Sequence, residues 1–175
     1  MSRVEIKALD AAPKTIEILC DILIEAVANG GSVSFMHPLE RQAARAFWDS
    51  SLAAAARGER IVLGAWDGAV LAGTVTLVLN LPPNQPHRAE ISKLMTRMSH
   101  RDGGIASALM REAESRAVGL GRTLLVLDTA ADDGASGFYE RLGYVRAGII
   151  PDYALKPHGG LTATIVYWKR IGLSA

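Results

Sequence analysis

Arg101-Asp102-Gly103-Gly104-Ile105-Ala106 is the most informative stretch of this chain. It lies between a segment patterned as a strand, Arg88 to Met98, and one patterned as a helix that runs to Val118. A helix start leaves several backbone N–H groups without partners and carries roughly half a positive charge. Glycines ahead of it let the main chain turn sharply and approach an anion closely. A pyrophosphate fits such a place without many side-chain cations, and Arg101 adds charge-assisted hydrogen bonds. A Gly-Gly pair before a helix is also an ordinary turn, so its surroundings matter. No Gly-Lys-Ser/Thr follows, which excludes a Walker loop. The glycine spacing and the lack of repeated βαβ units exclude a dinucleotide fingerprint.

Outward from this stretch the pattern gives a definite element order. Val4 to Leu9 alternates as a short strand, Ala12-Pro13 breaks the chain, and Thr15 is a candidate cap for a helix reaching Gly30-Gly31. Ser32 to Pro38 reads as a loop and Leu39 to Ala56 as a second helix. Arg60 to Trp66 and Val70 to Leu81 read as a hairpin about Asp67-Gly68. On the strand from Arg88, Glu90, Ser92, Leu94 and Thr96 are expected on one face. Downstream of the helix, Thr123 to Thr129 is almost continuously apolar, as in a strand covered on both faces. A short helix at Ala135–Leu142 and strands at Tyr144–Ile150 and Leu161–Arg170 follow, with Pro151–Gly160 as the intervening loop. Strands mixed with one βα unit predict an α/β (α+β) fold: a mixed sheet of six to seven strands flanked by about four helices.

The bulk properties narrow the class. A length of 175 residues suits one domain, and 49% hydrophobic with 21% charged residues is globular rather than disordered. A net charge of +1 argues against a general nucleic-acid or membrane-surface binder. The lone Cys20 excludes an internal disulfide, and its apolar neighbours make it a buried helix residue. Met1 to Lys7 carries charges where a signal peptide needs an apolar run, and no window approaches a membrane span. A cytoplasmic location is therefore expected. His37, His87, His100 and His158 have no ligand spacing, so no metal is implied, although His100 adjoins Arg101.

Arg101, Gly104 and Ala106 resemble the Gln/Arg-x-x-Gly-x-Gly/Ala signature of the GNAT superfamily of N-acetyltransferases. Phe138-Tyr139-Glu140-Arg141-Leu142-Gly143-Tyr144 resembles a second segment of that family, in the right order and at the right separation. More narrowly, Arg88 to Met95, Leu127-Asp128-Thr129 and Ile150 to Tyr153 resemble the branch with tabtoxin-resistance acetyltransferases, which acetylate a β-lactam amino-acid toxin. Three positions depart from the family pattern: Met98 where Pro is frequent, Asp102 where Gly is frequent, and Asp132 where Asn is frequent. Asp102 puts a carboxylate beside the expected phosphates.

The resemblance implies that acetyl-CoA is the cosubstrate. Its pyrophosphate would lie on Arg101, Asp102, Gly103, Gly104, Ile105, Ala106 and Ser107, and its pantetheine arm against Leu94, Met95 and Thr96. That arm would occupy a wedge where the strand ending near Thr96 splays from the strand ending near Asp128. Transfer to the primary amine of a small molecule (an amino-acid-like metabolite, toxin or antibiotic) needs a base for an ammonium of pKa about 8 to 10. Glu90 is the first candidate and Asp128 the second. Either carboxylate can instead be structural, Glu90 by pairing with Arg88 or Lys93. Tyr139 is the candidate acid for the leaving thiolate, or packs on the coenzyme. Phe35, Met36, Trp66 and Tyr153 are candidates to line the acceptor pocket. Asp152, Lys156 and His158 are candidates to clamp a zwitterion. A protein N-terminus or lysine as acceptor, and a non-catalytic acyl-CoA-binding module, are the alternative readings; a homodimer is a further expectation.

Overall fold

The structure is a computed structural model that describes residues 4–172. Met1 to Arg3, part of the segment read above for a signal peptide, lie outside the described residues. Among the described residues seven strands form one sheet, β1 (Glu5–Ala8), β2 (Arg60–Asp67), β3 (Val70–Val78), β4 (Arg88–Thr96), β5 (Leu124–Ala130), β6 (Val145–Leu155) and β7 (Leu161–Arg170). Their order is β1-β2-β3-β4-β5-β7-β6. Among the described pairs only β4 and β5 are parallel, and the helix α3 (Ile105–Gly119) makes the crossover that a parallel pair needs. The expected mixed α/β sheet with four helices is therefore what the chain forms.

Helices α1 (Pro13–Ala28) and α2 (Arg41–Ala56) cover one face, with Leu19, Leu23, Trp48 and Leu52 packed on Val62, Leu71 and Met95. Helix α3 and the short α4 (Ser136–Arg141) cover the other, with Leu109, Met110 and Tyr139 packed on Leu63, Leu77, Leu125 and Tyr167. Cys20 is fully buried in α1, and burial pushes its thiol pKa up, so it packs as a small hydrophobe. Helix α1 starts earlier than expected. Pro13 sits at its first position, where the missing N–H costs nothing, and Thr15 caps nothing.

Two departures matter for the site. Strand β6 does not end at Ile150; it continues to Leu155 past a register shift between Ile150 and Ala154, with Asp152 left-handed at φ 50°. An edge strand tolerates Pro151 because its N–H side has no neighbour. The turn thus shrinks to the residues between Leu155 and Leu161.

The second departure is in β4. Thr74 pairs with Met95 and Thr76 with Ser92, so Lys93 and Leu94 together oppose Val75. This is a bulge, and Lys93 takes φ 53°. A bulge reverses the alternation. Ala89 and Ile91 join the α3 side of the core, but so does Leu94, while Met95 joins the α1–α2 side. Glu90, Ser92, Leu94 and Thr96 therefore do not share one face: the first two point away from the face that Leu94 takes.

Candidate active site

The sheet opens where β4 leaves β5. Their pairing covers Arg88–Leu124, Ala89–Leu125 and Glu90–Val126 and then stops. Beyond Glu90 the two strands diverge around a cleft of about 1150 Å³. At one end of it, Met98–His100 forms a 3-10 turn that leads through Arg101 to Gly104 into α3. Gly104 is the N-cap at φ 78°, its carbonyl accepts the Ala108 N–H, and no side chain caps the helix. The first-turn amides of Ile105, Ala106 and Ser107 thus face the cleft without intrahelical acceptors. Asp102 is also left-handed, at φ 62°. Asp is one of the few side chains that tolerate that conformation, which accounts for its standing where Gly is frequent.

The cradle is braced from two sides. Glu25 of α1 accepts the Met98 N–H at 2.6 Å and pairs with Arg97 at 3.2 Å. Gly73 of β3 lets the sheet close on it: a Cβ there would meet the Met95 carbonyl at 2.7 Å and Ile105 Cγ2 at 3.1 Å. Neither residue stands out in the sequence, because each acts through a partner distant along the chain.

Glu90, Asp128, Tyr139, Leu94, Met95, Thr96, Arg101, Asp102, Gly104, Ile105, Ala106, Ser107 and Tyr153 all line the cleft. Glu90 and Val126 are register partners, and Asp128 is two residues further along β5, so the two carboxylates project from the same face. Arg88 donates to Glu90 Oε1 at 2.6 Å and is itself held by Gln85. Asp128 Oδ2 lies 3.0 Å from the Thr164 hydroxyl, which also reaches the Thr129 carbonyl.

Gly103, Phe35, Met36, Trp66 and Asp152, all candidates from the sequence, are not among the residues that line the cleft. Gly103 sits in the turn behind the cradle, facing the His100 carbonyl. Phe35 packs edge-on against Phe47, ring centroids 5.4 Å apart, and Trp66 packs against the α1–α2 core. Their aromatic surface went to the core, and the backbone from Gly30 to Ser34 lines the cleft instead. Lys156 and His158 are engaged too: Lys156 with Asp132 at 3.4 Å, His158 Nε2 with the Ala28 carbonyl at 3.0 Å. The His37 N–H donates to the Pro157 carbonyl at 2.9 Å. These contacts tie the α1–α2 loop, the β6–β7 turn and the segment after β5 together beside the cleft, which Gly30 to Ser34, Asp132 and Asp133 line.

Tyr139 is almost fully buried at the wall of the cleft. Burial, then the Asp128 and Asp133 carboxylates, push its pKa up to about 12. Burial and the nearby Glu114 push Tyr144 up as well. These hydroxyls keep their protons in the fold after the unfolded chain has lost its own near pH 10. Stability is therefore whole below pH 10 and falls as pH rises toward 12, by about 2–3 kcal/mol for Tyr139 alone. Urea unfolding followed through that window is expected to show this fall, and Tyr139→Phe to reduce it; a flat profile in the wild type would contradict the burial.

A splayed parallel pair ending in an uncapped, glycine-led helix start makes a cleft suited to an anion at that end. The family comparison agrees: residues 24–144 match the model of the Acetyltransferase (GNAT) family, and the chain belongs to that family. Similar solved structures include an N-acetyltransferase from Staphylococcus aureus Mu50, 20% identical, TM-score 0.81, covering 97% of this chain and 99% of that one. The ribosomal-protein-alanine N-acetyltransferase of Brucella melitensis is 20% identical with TM-score 0.79, covering 95% and 99%. The Salmonella typhimurium protein yncA, assigned as an acetyltransferase and solved with its cofactor acetyl-CoA, is 16% identical with TM-score 0.79, covering 98% and 96%. Acetyl-CoA is the cosubstrate of the family. Among the described residues, no helix is long and apolar enough to cross a membrane, and no group of three or more His, Cys, Asp or Glu is placed to hold a metal ion.

Proposed function

We propose that the chain moves the acetyl group of acetyl-CoA to the primary amine of a small molecule by direct attack, with a carboxylate as base. The observation that carries this is the pair Glu90 and Asp128, on one face of the sheet at the point where β4 and β5 part. The tied loops that line the cleft beside these carboxylates support a small acceptor over a protein segment. The narrower likeness to the tabtoxin-resistance branch rests on the strand segments that carry these two carboxylates.

In this reading the Ile105–Ser107 amides and Arg101 hold the pyrophosphate, as an uncapped helix start favours anions. The β4 edge from Leu94 to Thr96, unpaired on its β5 side, receives the pantetheine arm like an added strand. Asp128 takes the proton from the acceptor ammonium, with Glu90 helping to seat the cation. The freed amine lone pair attacks the thioester carbon, and collapse of the tetrahedral adduct breaks the C–S bond. Tyr139, protonated throughout the neutral range, gives its proton to the departing thiolate and regains one from the nitrogen of the adduct, so the products are the amide, the free thiol and the single proton held by Asp128.

A thiol-release screen with acetyl-CoA against amino acids, amine antibiotics and polyamines tests the reading. Turnover with at least one small amine is the expected result. Turnover confined to peptides bearing a free N-terminus or lysine would overturn it.

A further inference from the structure

Among the described residues that line the cleft, Lys93 is a cation to which neither the coenzyme nor the proton transfers assign a role. Its ammonium donates to Ser34 Oγ at 3.1 Å and lies 5.5 Å from the Phe47 ring centre, and among the described residues it forms no salt bridge. We propose that Lys93 and Ser34 form a subsite for a carboxylate carried by the acceptor, so that the substrate is an amino-acid-like zwitterion whose amine faces Asp128 and Glu90. This rests on the small-amine reading above and specifies it.

The local backbone is built around this contact. Lys93 adopts φ 53° in the β4 bulge and Ser34 adopts φ 75° in the α1–α2 loop, both unfavourable for side chains with a Cβ. Of the described non-glycine residues only Ser34, Lys93, Asp102 and Asp152 have positive φ. The first three line the cleft, and Asp152 precedes Tyr153, which also does. Strain of this kind persists where the surroundings hold a functional geometry in place. Here the bulge brings the Lys93 side chain to Ser34 of the α1–α2 loop, on the cleft that Glu90 and Asp128 also line.

The chemistry of the pair suits an oxyanion. Because Ser34 Oγ accepts from Lys93, its own proton is free to donate onward, and an ammonium has further protons beyond the one that Ser34 receives. Two donors thus converge. Loss of hydration pushes the Lys93 pKa down, and the Asp128 carboxylate pulls it part of the way back. An arriving carboxylate would complete the compensation. The same Asp128 is the opposite pole of the arrangement, so the cleft presents a cationic and an anionic seat close together, as the two ends of an amino acid require. Cation–π contact with Phe47 alone does not explain a lysine here, since it leaves the charge partly buried without a counter-ion.

The test compares the common L-amino acids with their carboxamides and decarboxylated amines in thiol release at saturating acetyl-CoA. The wild type is expected to favour acids over carboxamides by about ten- to a hundredfold in kcat/KM, the worth of a charge-assisted contact. Lys93→Met is expected to lose that preference by slowing acids only, with carboxamide turnover and the acetyl-CoA KM unchanged. Lys93→Arg should restore part of it. Equal wild-type rates on acids and carboxamides overturn the subsite and leave the small-amine reading standing; this comparison needs no variant to fold. Equal slowing of both by Lys93→Met also overturns it, since the lysine then serves the acetyl carbonyl or the fold. Failure of every amine, with acetyl-CoA still bound, overturns the small-amine reading and the subsite with it.

Discussion

Gly104→Val is expected to raise the KM for acetyl-CoA by about a hundredfold or more while the protein stays folded. Gly104 sits at φ 78°, and a Cβ built there would meet nothing within 4 Å. The effect is thus conformational rather than steric. A side chain with a Cβ pays about 1–2 kcal/mol in the left-handed region, and a β-branched one more. The chain will relieve this by rotating the turn, which moves the first-turn amides out of line. Each hydrogen bond to a charged group that is lost removes about 1.5–3 kcal/mol. Together these give about 3–4 kcal/mol, a hundred- to thousandfold in affinity. Gly103→Ala is the control, because Gly103 is not left-handed and a Cβ there makes only ordinary contact with the His100 carbonyl at 3.5 Å. It should change binding little. Calorimetric titration of both variants with acetyl-CoA decides the matter; unchanged affinity in Gly104→Val would remove the cradle from the account.

The cradle was readable in the sequence because its physics is local. Glycines, a helix start and Arg101 lie within a few residues, and the amides that line the cleft belong to the same stretch. The element order was readable for the same reason, since period and turn residues are local properties. What escaped is what depends on pairing. The bulge that turns Lys93 toward Ser34 is set by the register of β3 against β4, and no residue in Ser92-Lys93-Leu94 announces it. The alternation rule placed Leu94 with Glu90, and one extra residue reversed it. Pro151 looked like the end of a strand because a central strand cannot use it, but β6 is at the sheet edge. Phe35 was attractive for the pocket as an apolar residue in a loop. Phe47, a helix away in sequence, is what it packs against.

Asp128→Asn is expected to lower kcat by about a hundred- to a thousandfold, within the span of general-base contributions, and to leave acetyl-CoA affinity as it was. The sequence favoured Glu90 as base, and the geometry favours Asp128. Glu90 Oε1 already accepts from the Arg88 guanidinium at 2.6 Å, so that oxygen is engaged. The described partner of Asp128 is the neutral Thr164 hydroxyl, on Oδ2, and its other oxygen is left for the acceptor. Glu90→Gln should accordingly raise the acceptor KM more than it lowers kcat. Asn is isosteric with Asp and can still accept from Thr164, so a collapsed site would not explain the loss. An independent readout is at hand in Tyr139, whose pKa of about 12 owes part of its elevation to the Asp128 charge. Removing that charge should bring the Tyr139 titration down toward 10, visible as tyrosinate absorbance in a background with the other tyrosines assigned. A variant that lowers the Tyr139 titration yet turns over normally would show Asp128 close to the reacting atoms but idle, and would return the base to Glu90.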